Sequence, residues 1–172
     1  PIKLSEQANG TAQLRLTRRP LKKYLEALGV ASVTGEHKTV PWAIEQAPPE
    51  IVSAFLRGMF DADGCAVHNP EKGSYVGLGS VSIELLRGVQ RLLSTFGITS
   101  QISTASASFD LRITGRSMHR FAAEIGFSLS RKSDTLRESI VGHETDDVDT
   151  SIRLVERSDE GTVGDVAGDL HV

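Results

Sequence analysis

Two aspartates end a short apolar stretch of the chain, and their position is the feature best suited to chemistry. Apolar residues recur there at three- and four-residue intervals, which predicts one face of a helix that begins at Pro48-Pro49-Glu50. These residues are Ile51, Val52, Phe55, Leu56, Met59 and Phe60. The helix would deliver Asp61 and Asp63 to its C-terminal end, where the helix dipole disfavours carboxylates. A bound cation explains such carboxylates better than stability does, and the alternative is a buried helix followed by a solvated turn.

The segment Leu56–Gly64 resembles the LAGLIDADG signature of homing endonucleases. It departs from that signature at Arg57, where the family has alanine, and at Met59 and Phe60, which are apolar replacements. The resemblance implies cleavage of both strands of a long DNA site by metal-assisted hydrolysis. It also implies that Asp63 binds a divalent metal such as Mg²⁺, which prefers oxygen ligands.

Gly58 lies in the middle of the predicted motif helix. Glycine costs about 1 kcal/mol relative to alanine at such a position, which indicates a reason such as the close approach of a second backbone. In the family that the motif resembles, two such helices pack side by side. The resemblance therefore places Gly58 at a repeat interface and allows self-association through the motif helix.

The chain contains an internal repeat with an offset of 97 residues, in which Leu14–Val30 aligns without gaps on Leu111–Phe127. Each copy has a strand with alternating apolar residues, followed by a helix that a glycine closes. The identical pairs are Leu14/Leu111, Arg15/Arg112, Thr17/Thr114, Arg19/Arg116 and Gly29/Gly126.

Between the motif helix and the second copy, the pattern predicts the rest of one αββαββα unit. Its segments are a hairpin of strands 66–68 and 74–78, a helix over 82–96, strands near 98–104 and 108–114, and a helix from about 117. A short final helix is predicted over 134–141. The predicted class is α+β, with LAGLIDADG-like repeats, an antiparallel sheet and helices on one face.

The repeat offset predicts the domain organisation. Subtracting 97 from position 63 places the motif aspartate of the first copy upstream of Pro1. We therefore interpret residues 1–47 as the end of a first repeat and residues 48–143 as a complete second repeat. Residues 144–172 would be an acidic linker and the start of a further segment.

The open face of the sheet is predicted to lie on duplex DNA, because polar and basic residues alternate with the apolar ones. A solvated sheet face is the alternative for any single position. The candidate DNA-binding residues are Gln13, Arg15, Thr17, Gln101, Ser103, Arg112 and Thr114. The resemblance also implies a lysine near the scissile phosphate after each repeat. Lys132 fits the second copy and Lys38 the first, although their spacing from the preceding glycine differs.

Composition describes an ordinary globular protein, with 39% hydrophobic and 24% charged residues. No apolar run approaches the ~18 residues that a membrane span needs, and no signal peptide is evident, so a cytoplasmic location without membrane partners is the default expectation. The single Cys65 excludes an internal disulfide and is expected to be a small buried residue in a strand. The five histidines share no metal-ligand spacing.

Charge is distributed unevenly along the chain, whose net charge is −3. Residues 144–172 hold nine acidic and two basic residues, a net of −7, which leaves +4 on residues 1–143. The basic body suits nucleic acid, and the tail favours a different partner. The strand-like segment 162–172 resembles the start of the C-terminal splicing segment of inteins. A disordered acidic tail is the alternative.

These features predict the homing endonuclease domain of an intein, similar to inteins found in ribonucleotide reductases. Its partners would be double-stranded DNA and, within the same polypeptide, the splicing domain and a host protein. The main alternative is a non-cleaving DNA-binding module on the same scaffold, as in maturases or related transcription factors. A decayed element with neither activity is a third reading.

Overall fold

The computed structural model describes residues 3–6, 12–15 and 18–141. Its elements are β1 (Lys3–Glu6), β2 (Ala12–Arg15), α1 (Arg19–Ala27), α2 (Trp42–Glu45), α3 (Pro49–Asp63), β3 (Gly64–Val67), β4 (Tyr75–Ser80), α4 (Ile83–Thr95), β5 (Gln101–Ala105), β6 (Ser108–Ile113), α5 (Arg116–Glu124) and α6 (130–141). A short 3-10 turn, Gly35–His37, precedes α2. The order from α3 to α5 is αββαββα, which confirms the predicted fold class.

Four antiparallel strands form the main sheet, in the order β3-β4-β6-β5. Leu78 of β4 pairs with Gly64 on one side and with Leu111 on the other. Strands β1 and β2 pair only with each other in the described part of the chain, as a separate two-stranded sheet. Over the residues that the structure describes, the strand of the first copy is therefore not hydrogen-bonded to the sheet that contains the strand of the second copy.

The motif helix α3 buries one side and exposes the other. Pro49 occupies its first turn, where the missing N–H costs nothing, and Glu50 suits the N-terminal dipole. Val52, Leu56 and Phe60 are buried in the core. The helix is therefore buried on one side only, because the side that carries Gly58 is open to solvent.

Three aromatic rings hold the C-terminal end of α3 in the core. The ring centroid of Phe60 lies 4.8 Å from that of Phe121 and 6.5 Å from that of Phe127, both in edge-to-face arrangements. Such pairs add about 0.5–1.5 kcal/mol each beyond the burial of their area. The last turn of α3 is thus fixed against α5 and the segment that follows it.

Glycines end the two repeated helices as predicted. Gly29 after α1 and Gly126 after α5 have φ values of +91° and +65°. Gly126 N–H donates to Phe121 O at 2.7 Å, which closes the last turn of α5.

Two further expectations concern the burial of Cys65 and membrane-spanning helices. Cys65 is exposed, because it lies on the open side of β3, so its predicted burial is wrong. None of the described helices combines the length and apolar character required to cross a bilayer.

Candidate functional site

The two motif aspartates diverge at the end of α3. The Asp61 carboxylate accepts hydrogen bonds from the backbone N–H of Ser128, with oxygen distances of 3.0 and 3.3 Å. Asp63 is exposed, and within the described residues its carboxylate has no ion-pair partner. Asp61 is therefore engaged in joining two parts of the fold, while Asp63 is available to a ligand.

A cavity of about 180 Å³ brings Asp63 together with Lys38. Met59 of α3 and Gly79 of β4 also line it. The two candidate residues are 25 positions apart in the sequence, and they meet because the segment before α2 passes the end of the motif helix. A carboxylate and an exposed ammonium group on one cavity could bind a metal ion and a phosphate respectively.

Ser82 fixes the segment that carries Lys38. Its buried hydroxyl donates to Lys38 O at 2.6 Å and accepts from Leu85 N at 3.2 Å, so it also caps the N-terminus of α4. Val40 packs closely against Gly88 of α4, where an added Cβ would lie 2.6 Å from Val40 Cγ2. These contacts place the Lys38 backbone at a defined position beside the cavity.

Lys132, the second candidate lysine, is buried instead of facing the cavity. Its Nζ donates to the backbone carbonyls of Phe60 at 2.9 Å and Asp61 at 2.6 Å, and it lies 5.7 Å from the centroid of the Phe127 ring. The structure therefore places Lys132 at the C-terminal end of the motif helix. Its implied role at a phosphate stays a prediction.

A polar row along α3 was missed by the sequence reasoning. Ser53 Oγ donates to Glu124 O at 2.6 Å, and Arg57 Nε donates to Ile125 O at 2.6 Å. With Asp61, these residues repeat every four positions and bond to the backbone of residues 124–128. The departure of Arg57 from the motif alanine is thereby explained, because its guanidinium satisfies a carbonyl at the end of α5. Polar residues at a spacing of four on an apolar helix were the available signal.

The open face of the main sheet presents the predicted polar residues of β5 and β6. Gln101 pairs with Arg112, and Ser103 pairs with Asp110. Gln101, Ser103, Arg112 and Thr114 are all exposed. The Arg112 guanidinium lies 4.7 Å from the centroid of the Tyr75 ring, which restricts its orientation.

The candidates of the first copy are described less fully. Gln13 and Arg15 belong to β2, where Gln13 pairs with Ser5 and Arg15 with Lys3. Their side chains, and Thr17 as a whole, lie outside what the structure describes.

The residues around Asp63 fit a hard divalent cation only in part. Within the described ranges, no group of three or more histidine, cysteine, aspartate or glutamate residues could hold a metal ion. Magnesium commonly keeps several waters and takes one or two carboxylates together with substrate phosphates. Asp63 can be one of these carboxylates, and the remaining ligands would come from phosphate, water or a second carboxylate.

Comparison with known proteins agrees with this architecture. Residues 50–126 match the family model of the LAGLIDADG-like domain. The solved structure of a mesophilic variant of the homing endonuclease I-DmoI superposes with a TM-score of 0.57 and 18% identity, over 80% of this chain and 66% of that one. This likeness shows that the chain has the fold of a homing endonuclease.

Similar segments occur within much longer proteins. The chain is 34% identical over 62% of its length to a DNA polymerase of Thermococcus hydrothermalis, and covers 7% of it. It is 36% identical over 78% of its length to a probable translation initiation factor IF-2 of Thermococcus kodakarensis, and covers 11% of it. A replicative DNA helicase DnaB of Rhodothermus marinus is 29% identical over 63% of this chain, which covers 12% of that protein.

Proposed function

We propose that this chain is the homing endonuclease domain of an intein, or part of one, and that it acts in metal-dependent hydrolysis of double-stranded DNA. One observation carries the proposal. Asp63 is exposed at the end of the motif helix, on the cavity that also contains Lys38. The other α3 carboxylate of the motif is already engaged by a backbone N–H.

Each group has a defined part in the proposed reaction. Asp63 would hold Mg²⁺, and the ion would supply orientation of the attacking water and stabilisation of the leaving oxygen. Lys38, exposed on the same cavity, binds the phosphate whose charge rises during the reaction. Arg112 and Gln101 contact base edges or phosphates from the open sheet face, which fixes the register of the duplex.

Cleavage of both strands requires a second carboxylate, and the exposed side of α3 offers a place for it. Ala54, Gly58 and Ala62 are exposed at intervals of four residues, and a Cβ added at Gly58 would have no atom within 4 Å. A second motif helix can approach closely along such a side. In this proposal the helix comes from a first repeat ending within residues 1–47, or from a second copy of the chain.

The distribution of the relatives supports an inserted element. A DNA polymerase, a translation initiation factor and a DNA helicase do different work, yet each contains a segment similar to this chain. Insertion of the same element into unrelated hosts produces that distribution. In the proposal, residues 48–143 are one complete repeat, and residues 144–172 lead to the splicing segment. Similarity to inteins of ribonucleotide reductases and a cytoplasmic location stay predictions.

A non-cleaving DNA-binding module is the second candidate. It is favoured by the single exposed motif carboxylate, Asp63, because cleavage of both strands needs two. Both candidate functions use the sheet face to bind DNA, but only the nuclease requires the carboxylate of Asp63. A binding module needs no metal and tolerates loss of Asp63.

The experiment is cleavage of plasmids that carry a target library, with and without magnesium. Asp63→Asn keeps the shape and removes the charge that a metal needs, so we expect loss of cleavage with DNA affinity within about twofold of the parent protein. Asp134→Asn is the matched control, because Asp134 is an exposed aspartate on α6 that pairs with Arg137. Full cleavage by the Asp63→Asn protein would place the chemistry elsewhere. Because one motif supplies one carboxylate, nicking counts as activity, and the assay is repeated with a protein that carries a complete first repeat. DNA binding with neither nicking nor cleavage, even after that protein is added, would favour the binding module.

A further inference from the structure

We propose that Lys132 is a positioning residue, whose ammonium group holds the last turn of α3 so that Asp63 is presented to the metal. The metal-binding half of this inference rests on the proposed function. The positioning half rests on contacts that the structure shows.

The carbonyls at the end of α3 require donors from outside the helix. The last carbonyls of any α-helix lack intrahelical partners. Gly64 N–H donates a hydrogen bond to Phe60 O. Lys132 Nζ donates both to that oxygen and to Asp61 O. The ammonium group thus links two successive carbonyls, three and two residues before Asp63.

Electrostatics make the same contact favourable. The C-terminal end of a helix carries partial negative charge, and Asp61 and Asp63 add two carboxylates there. Lys132 is 8% exposed, and within the described residues it forms no ion pair. A buried ammonium is costly unless its protons are bonded, and this one meets two carbonyls and an aromatic face. Its positive charge therefore offsets the negative end of α3.

The same geometry argues against a direct phosphate contact. An ammonium group has three protons, and two of them are committed to Phe60 O and Asp61 O. Burial leaves little surface through which DNA could reach the third. Lys38, which is exposed on the Asp63 cavity, is better placed for that task.

The contact between α3 and the start of α6 is reciprocal. Lys132 of α6 donates to carbonyls of α3, while Asp61 of α3 accepts from Ser128 N–H just before α6. These contacts join the end of α3 to the start of α6 in both directions. They occupy Asp61 and leave Asp63 free. Because α6 lies beyond the matched range 50–126, the site depends on a helix outside the LAGLIDADG-like match.

The test compares Lys132→Met, which keeps the length of the side chain and removes its charge and donors, with Lys132→Arg, which restores both. Amide hydrogen exchange of the full chain is measured first. We expect faster exchange at residues 61–65 in Lys132→Met, with β4 and β6 unchanged and partial rescue by Lys132→Arg. If Lys132→Met does not fold, Lys132→Gln, which keeps a neutral donor, is compared in the same way.

Two titrations separate positioning from the other roles. With Mn²⁺ as a paramagnetic probe, broadening of the Asp63 and Gly64 amide signals should need at least about tenfold more metal in Lys132→Met, the usual cost of losing a partner that orients a ligand. DNA affinity and its salt dependence, measured without metal, should not change. A salt slope lower by about one would show a phosphate contact and overturn the inference.

The remaining outcomes are also decisive. A uniform rise in exchange with an unchanged Mn²⁺ midpoint would show that Lys132 serves only global stability, and would overturn the inference. If the parent protein shows no Mn²⁺ broadening at Asp63, the proposed metal function fails. The exchange pattern at residues 61–65 then still decides whether Lys132 positions the helix end.

Discussion

The polar residues of α3 have two different roles: three of them bond to backbone elsewhere in the fold, and one is available to a ligand. Ser53 and Arg57 give hydrogen bonds to carbonyls at the end of α5, and Asp61 receives one from the chain that leads to α6. All three bonds join the motif helix to backbone rather than to other side chains. Asp63 is two residues beyond this row and faces solvent. Asp63, the proposed metal ligand, is therefore supported by neighbouring residues that have no proposed role in the reaction.

Arg57 gives a prediction about stability. Arg57→Met keeps an unbranched apolar stem but removes the donor to Ile125 O, which lies 2.6 Å from Nε in the parent protein. A hydrogen bond from a charged donor contributes about 1.5–3 kcal/mol, and some of this is recovered by solvent at a partly buried site. We expect the free energy of unfolding, measured in urea, to fall by about 1–2 kcal/mol.

Arg137→Met is the control for this prediction. Arg137 pairs with Asp134 on the exposed surface of α6, with 72% of its side chain accessible. Exposed pairs contribute little, so the expected change is within about 0.5 kcal/mol. Equal losses in the two variants would show that the bond to Ile125 O is unimportant.

At the level of elements, local periodicity predicted the helices and strands of the second repeat well. Apolar spacing within α3, α4 and α5 is set by each helix alone, and alternation in β6 is set by the strand alone. The turn glycines are also local signals, because only the backbone conformation at Gly29 and Gly126 matters.

Contacts between distant segments could not be predicted in this way. Lys132 reaches carbonyls 71 and 72 residues earlier, and Ser82 reaches Lys38 O across 44 residues. Nothing in the spacing of either residue indicates its partner. The same limit applies to β1 and β2, because the repeat in the sequence does not show which strands pair with each other. Cys65 was misassigned because a strand residue can face either side.

Gly58 within α3 and Gly126 after α5 give stability predictions of opposite sign. Gly58 is helical and has open space around it, so Gly58→Ala should raise the free energy of unfolding by up to about 1 kcal/mol. Gly126 has a φ of +65°, where a side chain costs about 1–2 kcal/mol, so Gly126→Ala should lower it. Urea unfolding at low protein concentration measures both.

Self-association is tested with a further variant at Gly58. If a second copy packs along the exposed side of α3, a bulky residue in Gly58→Trp should shift sedimentation towards the monomer at high concentration. Destabilisation by Gly58→Ala in the dilute protein would show that the glycine already has a close neighbour, and would contradict the open side of α3.

At the level of the whole molecule, charge separates the body from the tail. Residues 1–143 carry a net charge of +4, and residues 144–172 carry −7. The exposed Arg112 and the other polar residues of the sheet face belong to the positive part. Because DNA binding depends on the release of counterions from phosphates, the acidic tail should oppose binding by the rest of the chain.

Deletion of residues 144–172 is therefore expected to tighten binding to duplex DNA at low salt. The gain should shrink as salt rises, since screening weakens repulsion between the tail and the phosphates. Fluorescence anisotropy over a salt series measures the affinity of both proteins.

Arg112→Gln is the matched control, because it should weaken binding by about the same factor with or without the tail. An unchanged or weaker affinity after deletion at low salt would contradict the basic sheet face as the DNA-binding surface. An Arg112→Gln effect seen only in the deleted chain would instead show that the tail covers that face.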